Sequence, residues 1–215
     1  RRNRPEWLVF GPYVSDPPSA RQDQGDVRTF DVTAWRGKVD LLAGGVPCPP
    51  FSVAGKQLGA DDERDLFPAA LRLVAECEPR AVMLENVPGI LSEKFRDYRE
   101  QICAQLEPNY VVWWDVVQAS DFGVPQLRPR AILVAIEKES APYFVWPNDD
   151  DYSPAPTVGE ALHGLMSERG WRRAEEWATQ QATRIAPPLV GGSKKHGGPD
   201  LGPTRAKREW RKLGV

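Results

Sequence analysis

Val39-Asp40-Leu41-Leu42-Ala43-Gly44-Gly45 opens the regular part of this 215-residue chain, and Val46-Pro47-Cys48-Pro49-Pro50-Phe51-Ser52 follows it directly. A short apolar run stopped by two glycines reads as a buried parallel strand. The pattern that follows fits one. Between Asp62 and Glu78 the apolar residues Leu66, Ala69, Ala70, Leu73, Val74 and Cys77 recur at helical spacing and mark one face. Ala81-Val82-Met83-Leu84 is a second apolar run, closed by Glu85-Asn86-Val87-Pro88-Gly89. Lys94–Leu106 reads as a second helix, and Tyr110–Val117 and Ala131–Ile136 as two more strands. Strands alternating with helices predict an α/β fold around a mostly parallel sheet, with both helices on one face because crossovers are right-handed.

Beyond Trp146 the character changes. Asn148-Asp149-Asp150-Asp151 and the prolines after it read as a linker, which puts a domain boundary near 148–156, between a domain 1–150 and a region 151–215. Thr157–Leu162 and Glu168–Thr183 read as short helices, and 187–204 as a basic stretch rich in glycine and proline. The sequence holds 21 prolines and 18 glycines, so many turns are expected. No apolar run reaches the ~18 residues of a membrane span. Three cysteines, Cys48, Cys77 and Cys103, fit no zinc-ligand spacing. With no secretory leader at its start, a reducing cytoplasm is the expected setting. Residues 165–215 carry 11 Lys/Arg against 5 Asp/Glu, whereas residues 1–164 are net acidic. A basic end on an acidic body suits a polyanion surface or a solvated helix face.

Ligands of open α/β sheets bind beyond the carboxyl ends of the strands. Two segments with reactive groups sit at such ends: the Cys48 loop and Glu85-Asn86-Val87. Cys48 lies between Pro47 and Pro49 on stiff backbone, and a nearby cation favours the thiolate that a cysteine nucleophile requires. Gln126-Leu127-Arg128-Pro129-Arg130, ahead of the last strand, offers such cations.

The ordered set Gly-Gly-Val-Pro-Cys-Pro-Pro-Phe-Ser, Glu-Asn-Val and Gln-Leu-Arg-Pro-Arg resembles the cytosine-5 DNA methyltransferases, over about Gly25 to Trp146 and more loosely over Ile185 to Val215. The resemblance implies a partial Rossmann-like class I methyltransferase sheet, followed by the start of a small target-recognition region. It implies Cys48 as the nucleophile on carbon 6 of cytosine and Glu85 at ring nitrogen 3. Asn86 would orient the Pro47-Cys48 backbone, and Arg130, backed by Arg128, would contact the base oxygen and the loop. S-adenosylmethionine is the implied cofactor, held by Asp26, Val27, Pro47 and Leu66. Double-stranded DNA with a flipped cytosine is the implied partner, contacted by Ser52, Lys194, Lys195 and Arg205, with a cognate restriction endonuclease in the background. No metal is implied.

The family's glycine-rich cofactor loop and its closing Gln-x-x-Gly-Asn segment do not occur among these residues, so the chain reads as truncated at both ends. Alone it is therefore expected to bind the cofactor weakly and to associate through uncovered strand edges and apolar surface. Calorimetric titration of the isolated chain is the check, and micromolar binding would contradict it.

Two rival functions follow from the same residues. A thiol hydrolase needs a base beside Cys48, and His163 and His196 both lie in the distant part of the chain. A non-catalytic DNA-binding fragment would have no need of Cys48, Glu85 and Arg130 together. The interleaving of Trp171, Trp177 and Trp210 with basic residues suits either DNA contact or a small satellite core.

Overall fold

The computed structural model describes residues 26–46, 65–148, 151–188 and 204–214. Its contacts divide the chain into two compact units, residues 1–114 with 133–144, and residues 115–132 with 145–215.

The described elements are β1 (Leu41–Gly45), α1 (Phe67–Cys77), β2 (Ala81–Asn86), α2 (Arg96–Leu106), β3 (Tyr110–Gln118), β4 (Pro129–Glu137), α3 (Val158–Glu168), α4 (Ala174–Gln180) and α5 (Thr204–Arg211). The sheet order is β1-β2-β4-β3. β1 and β2 run parallel, with Leu41 opposite Ala81 and Gly45 opposite Glu85. β4 runs the other way. Glu137 N–H donates to Arg80 at the start of β2, Lys138 N–H donates to Asn109 at the start of β3, and Ala119, just after β3, donates to Arg128, just before β4. The sheet is therefore mixed, and the expectation of a mostly parallel one holds for the other three strands.

In the first unit α1 begins with Pro68 in its first turn, where a missing N–H costs nothing. It ends at Glu78, which takes a left-handed conformation (φ 48°) and returns its N–H to the Val74 carbonyl. Seven of its residues are buried, including Phe67 and Leu71, which the apolar spacing had passed over. Leu66 is the residue before the helix rather than part of its face. Leu73 and Cys77 pack with Val32, and Leu42 of β1 joins them. Ile102 and Leu106 bury the inner side of α2, and α1 and α2 touch, so both helices cover one sheet face as the crossover rule requires.

The other face of β1 and β2 differs from the sequence reading. Side chains alternate across a strand, and Val82, Leu84 and Asn86 turn into the core while Met83 is 42% exposed. On β1, paired with them, Leu41 is 44% exposed. An unbroken apolar run was taken to mean burial on both faces. Among the described residues these two strands are covered on one face only.

In the second unit α3 starts with a capping box, Thr157 and Glu160 bonding each other's backbone N–H. It runs to Glu168, further than the sequence suggested, and stops before Gly170, whose positive φ (77°) breaks the helix that had been read straight through it. α3 and α4 meet at Gly159, where a Cβ would come within 2.3 Å of the Ala178 carbonyl oxygen. Val158, Trp177, Ala182, Ala186, Trp210 and Leu213 form the core of this unit. Trp177 Nε1 donates to the Leu213 carbonyl (2.8 Å), tying the end of the chain to α4. Trp177 and Trp210 are thus core residues, which decides the tryptophan question for both against DNA stacking. α5 begins where the basic stretch read at 187–204 ends, in residues for which the sequence suggested no helix. No described helix is long and apolar enough to cross a membrane.

Candidate active site

The carboxyl ends of β1 and β2 meet side by side. Paired residues of parallel strands share a face, so Gly45 and Glu85 present the same side of the sheet. A Cβ on Gly45 would stand 3.2 Å from Glu85 Oε2, so a larger residue there would make the carboxylate shift by a few tenths of an ångström. The next residue, Val46, is fixed through both backbone groups. Its N–H donates to the Glu85 carbonyl (3.1 Å), and its carbonyl accepts from Asn86 Nδ2 (3.4 Å).

Asn86 occupies an inward position in the row Val82–Leu84–Asn86, and only 1% of it is exposed. A buried amide must find partners. Its Nδ2 reaches Val46, and its Oδ1 accepts the Val87 N–H (2.8 Å). The amide therefore clamps the residue before Pro47 to the end of β2. Replacing Asn86 with alanine leaves a buried carbonyl and N–H without those partners. The expected loss is about 1–3 kcal/mol of stability, read as a lower urea midpoint at unchanged m-value. An unchanged midpoint would mean that the clamp carries nothing.

Pro47, Cys48 and Ser52 lie outside the described residues, as do Lys194, Lys195 and the side chain of Arg205. The chain is described again at Asp65. There the carboxylate accepts the Phe67 N–H at the start of α1 (3.0 Å) and the hydroxyl proton of Tyr98 from α2. Burial first, and then the Asp65 hydrogen bond, push the Tyr98 hydroxyl far above its usual titration range. Phe67 meets the Tyr98 ring edge-on, with centroids 5.9 Å apart. Val46 and Asp65 are thus each held by groups from the elements beside them. The sequence signals half of the second anchor, an aspartate just ahead of a proline-started helix; nothing in it points to Tyr98.

Asp26 lies on the surface with its carboxylate gripped by Arg28, whose Nε donates at 2.9 Å. That hydrogen bond, then the Arg28 backbone N–H, lowers its pKa to about 2. The Val27 carbonyl accepts from Arg72 of α1 (2.9 Å), and Leu66 is half-buried at the head of that helix. Arg128 and Arg130 belong to the second unit. Arg128 is exposed just before β4. Arg130 is already within the strand, and its Nη1 donates to the Pro129 carbonyl (2.7 Å). His163 is half-buried and contacts Glu175 (2.8 Å) and Ser167 (3.2 Å) through one nitrogen. That is a surface cluster, and both partners are on its own helical pair. No group of three or more metal-ligating side chains occurs among the described residues.

Known proteins are similar to this chain in sequence and fold. The chain is 61% identical over 178 residues to Type II methyltransferase M.NaeI of Lentzea aerocolonigenes, covering 82% of this chain and 42% of that protein. It is 49% identical over 195 residues to Type II methyltransferase M.NgoMIV of Neisseria gonorrhoeae, covering 90% of this chain and 57% of that protein. The chain thus spans about half the length of these relatives. The crystal structure of a DNA modification methyltransferase encoded within an E. coli prophage superposes with a TM-score of 0.52 at 27% identity, over 67% of this chain and 42% of that one. The family model for C-5 cytosine-specific DNA methylase matches residues 15–197, which contain both strand ends, the Asn86 clamp, Arg128 and Arg130. On that match, the chain belongs to the C-5 cytosine-specific DNA methylase family.

Proposed function

We propose that the protein containing these residues methylates carbon 5 of cytosine in double-stranded DNA through a covalent cysteine adduct, within a restriction–modification system that includes a cognate endonuclease. The observation that carries this reading is the junction of β1 and β2. Glu85 sits beside Gly45, and the buried Asn86 amide holds the carbonyl of Val46, two residues before Cys48.

Cytosine must leave the duplex before its ring can be attacked. Cys48, as thiolate, adds to carbon 6 and forms the carbon–sulfur bond. The displaced electron pair moves toward carbon 5 and ring nitrogen 3. Glu85 stabilises the nitrogen end, either as a proton donor or through a hydrogen bond that strengthens as charge develops. Asn86 keeps the Pro47-Cys48 backbone in place, so the thiolate is positioned before substrate arrives. Arg130, backed by Arg128, meets the base oxygen, and Ser52, Lys194, Lys195 and Arg205 contact the DNA. Once carbon 5 is substituted, loss of its proton and release of Cys48 restore the aromatic ring and the free thiol.

S-adenosylmethionine supplies the methyl group when bound. The described residues fit the adenine end of such a ligand. Asp26 is kept ionised by Arg28 and is 43% exposed, so it would accept an amino N–H in exchange for one of its Arg28 bonds. Val27, Leu66 and Pro47 complete the set assigned to it.

The test is transfer of labelled methyl groups from the cofactor to duplex DNA by the full-length protein, followed by digestion to nucleosides. Label in 5-methylcytosine is the expected result. Label on adenine, on the exocyclic cytosine nitrogen or nowhere would overturn the proposal.

A further inference from the structure

α5 is built with two opposed faces. Trp210 and the adjacent Leu213 enter the core of the second unit, where Leu213 also receives the Trp177 indole hydrogen bond. Arg208 and Arg211, three residues apart and so on neighbouring positions of the helix surface, are both exposed. Residues 204–212 hold five cations and one acid. That acid, Glu209, is bound to Lys212 (2.8 Å). Arg173, at the start of α4, is likewise held by Glu176 (2.9 Å). Arg208 and Arg211 form no ion pair among the described residues.

Two physical consequences follow. The pairs Lys207–Arg211 and Arg208–Lys212 stand at i,i+4, where like charges oppose helix formation. The helix persists because its apolar side is anchored, and any anion on its outer face would relieve the repulsion. The anchor also fixes the backbone from which the two guanidiniums project, so less conformational freedom is lost when they are engaged. The apolar side is already occupied by the core, which leaves nothing on α5 to insert into a lipid surface.

We infer that the outer face of α5 is a phosphate-backbone contact for double-stranded DNA, with Arg208 and Arg211 each neutralising one phosphate. The inference rests on the proposed DNA substrate. It adds a sequence-independent grip made by residues that read no base, since phosphate contacts position a duplex without specifying it.

The experiment is fluorescence anisotropy of a labelled duplex with the full-length protein, titrated at several salt concentrations. Each phosphate contact contributes close to one unit to the slope of log affinity against log salt. In R208Q/R211Q that slope is expected to become shallower by about two, and affinity for specific and unrelated duplexes to fall together. R208K/R211K, which keeps the charges, is expected to retain the slope. The thermal midpoint of R208K/R211K should match the parent and that of R208Q/R211Q should not fall below it, because neither side chain packs in the core and the glutamines remove the two like-charge pairs. An unchanged slope in R208Q/R211Q overturns the inference. So does equal loss of binding to RNA duplexes or anionic vesicles that the parent holds as tightly as DNA, or a parent protein that does not bind DNA. Failure of the methylation reading is separate: it would appear as absent methyl transfer by a protein that still binds DNA with this salt dependence.

Discussion

Substituting Cys48 with serine in the complete protein is expected to abolish the covalent complex formed with DNA carrying 5-fluorocytosine in the presence of cofactor. Fluorine on carbon 5 cannot leave as a proton does, so a cysteine that has added to carbon 6 stays attached. The complex survives denaturing electrophoresis. A serine hydroxyl is almost wholly protonated at neutral pH and is a far weaker nucleophile, so the band should vanish rather than diminish. The other two cysteines serve as controls. Burial raises the thiol pKa of both Cys77 and Cys103, which disfavours the reactive thiolate. Cys77 is moreover 2% exposed within the packing of α1. Cys77→Ser and Cys103→Ser should trap DNA like the parent. A Cys48→Ser protein that traps equally well would remove the nucleophile assignment.

Glu85→Gln is expected to slow methylation by about two to three orders of magnitude, the scale of losing one stabiliser of developing charge. Glutamine preserves the shape and can still bond a ring nitrogen, but it supplies neither a proton nor a negative charge. The interaction that is lost is strongest in the transition state, so kcat should fall while DNA affinity changes little. Single-turnover rates with pre-bound DNA separate the two quantities. Near-normal turnover would reduce Glu85 to a strand-end carboxylate, whereas a matching loss of DNA binding would make it a binding residue.

The order of strands and helices was legible because apolar period and turn residues are local properties. β1, α1, β2, α2, β3 and β4 all fall within a few residues of where the sequence puts them. The direction of β4 was not legible. The apolar run 131–136 looks the same whichever way the strand is laid down, and its antiparallel placement is shown by non-local bonds such as Glu137 to Arg80. Exposure of Leu41 and Met83 was missed for a related reason: a hydrophobic residue reports a preference for burial, not whether a neighbour is there to supply it. For the site, Gly45, Glu85 and Asn86 were readable as motif residues, and the structure adds how closely the glycine approaches the carboxylate and what the amide holds. Tyr98 was not readable, since its contact with Asp65 joins two helices at a sequence distance that no local pattern encodes.

The reversal of β4 also bears on how the molecule folds. β3 and β4 are joined by residues 119–128 alone, and the bond from Ala119 to Arg128 closes that connection at its base. β1 and β2, by contrast, bring Leu41 to Ala81 across a full helical crossover. The chain entropy lost in closing a loop rises with its length, and rates fall as contacts become more distant in sequence. Antiparallel β3–β4 is therefore the pairing with the lowest kinetic barrier in the sheet. Pulse-labelling hydrogen exchange during refolding should show the Ala119 and Lys138 amides, which bond across β3 and β4, protected ahead of those that join β1 to β2.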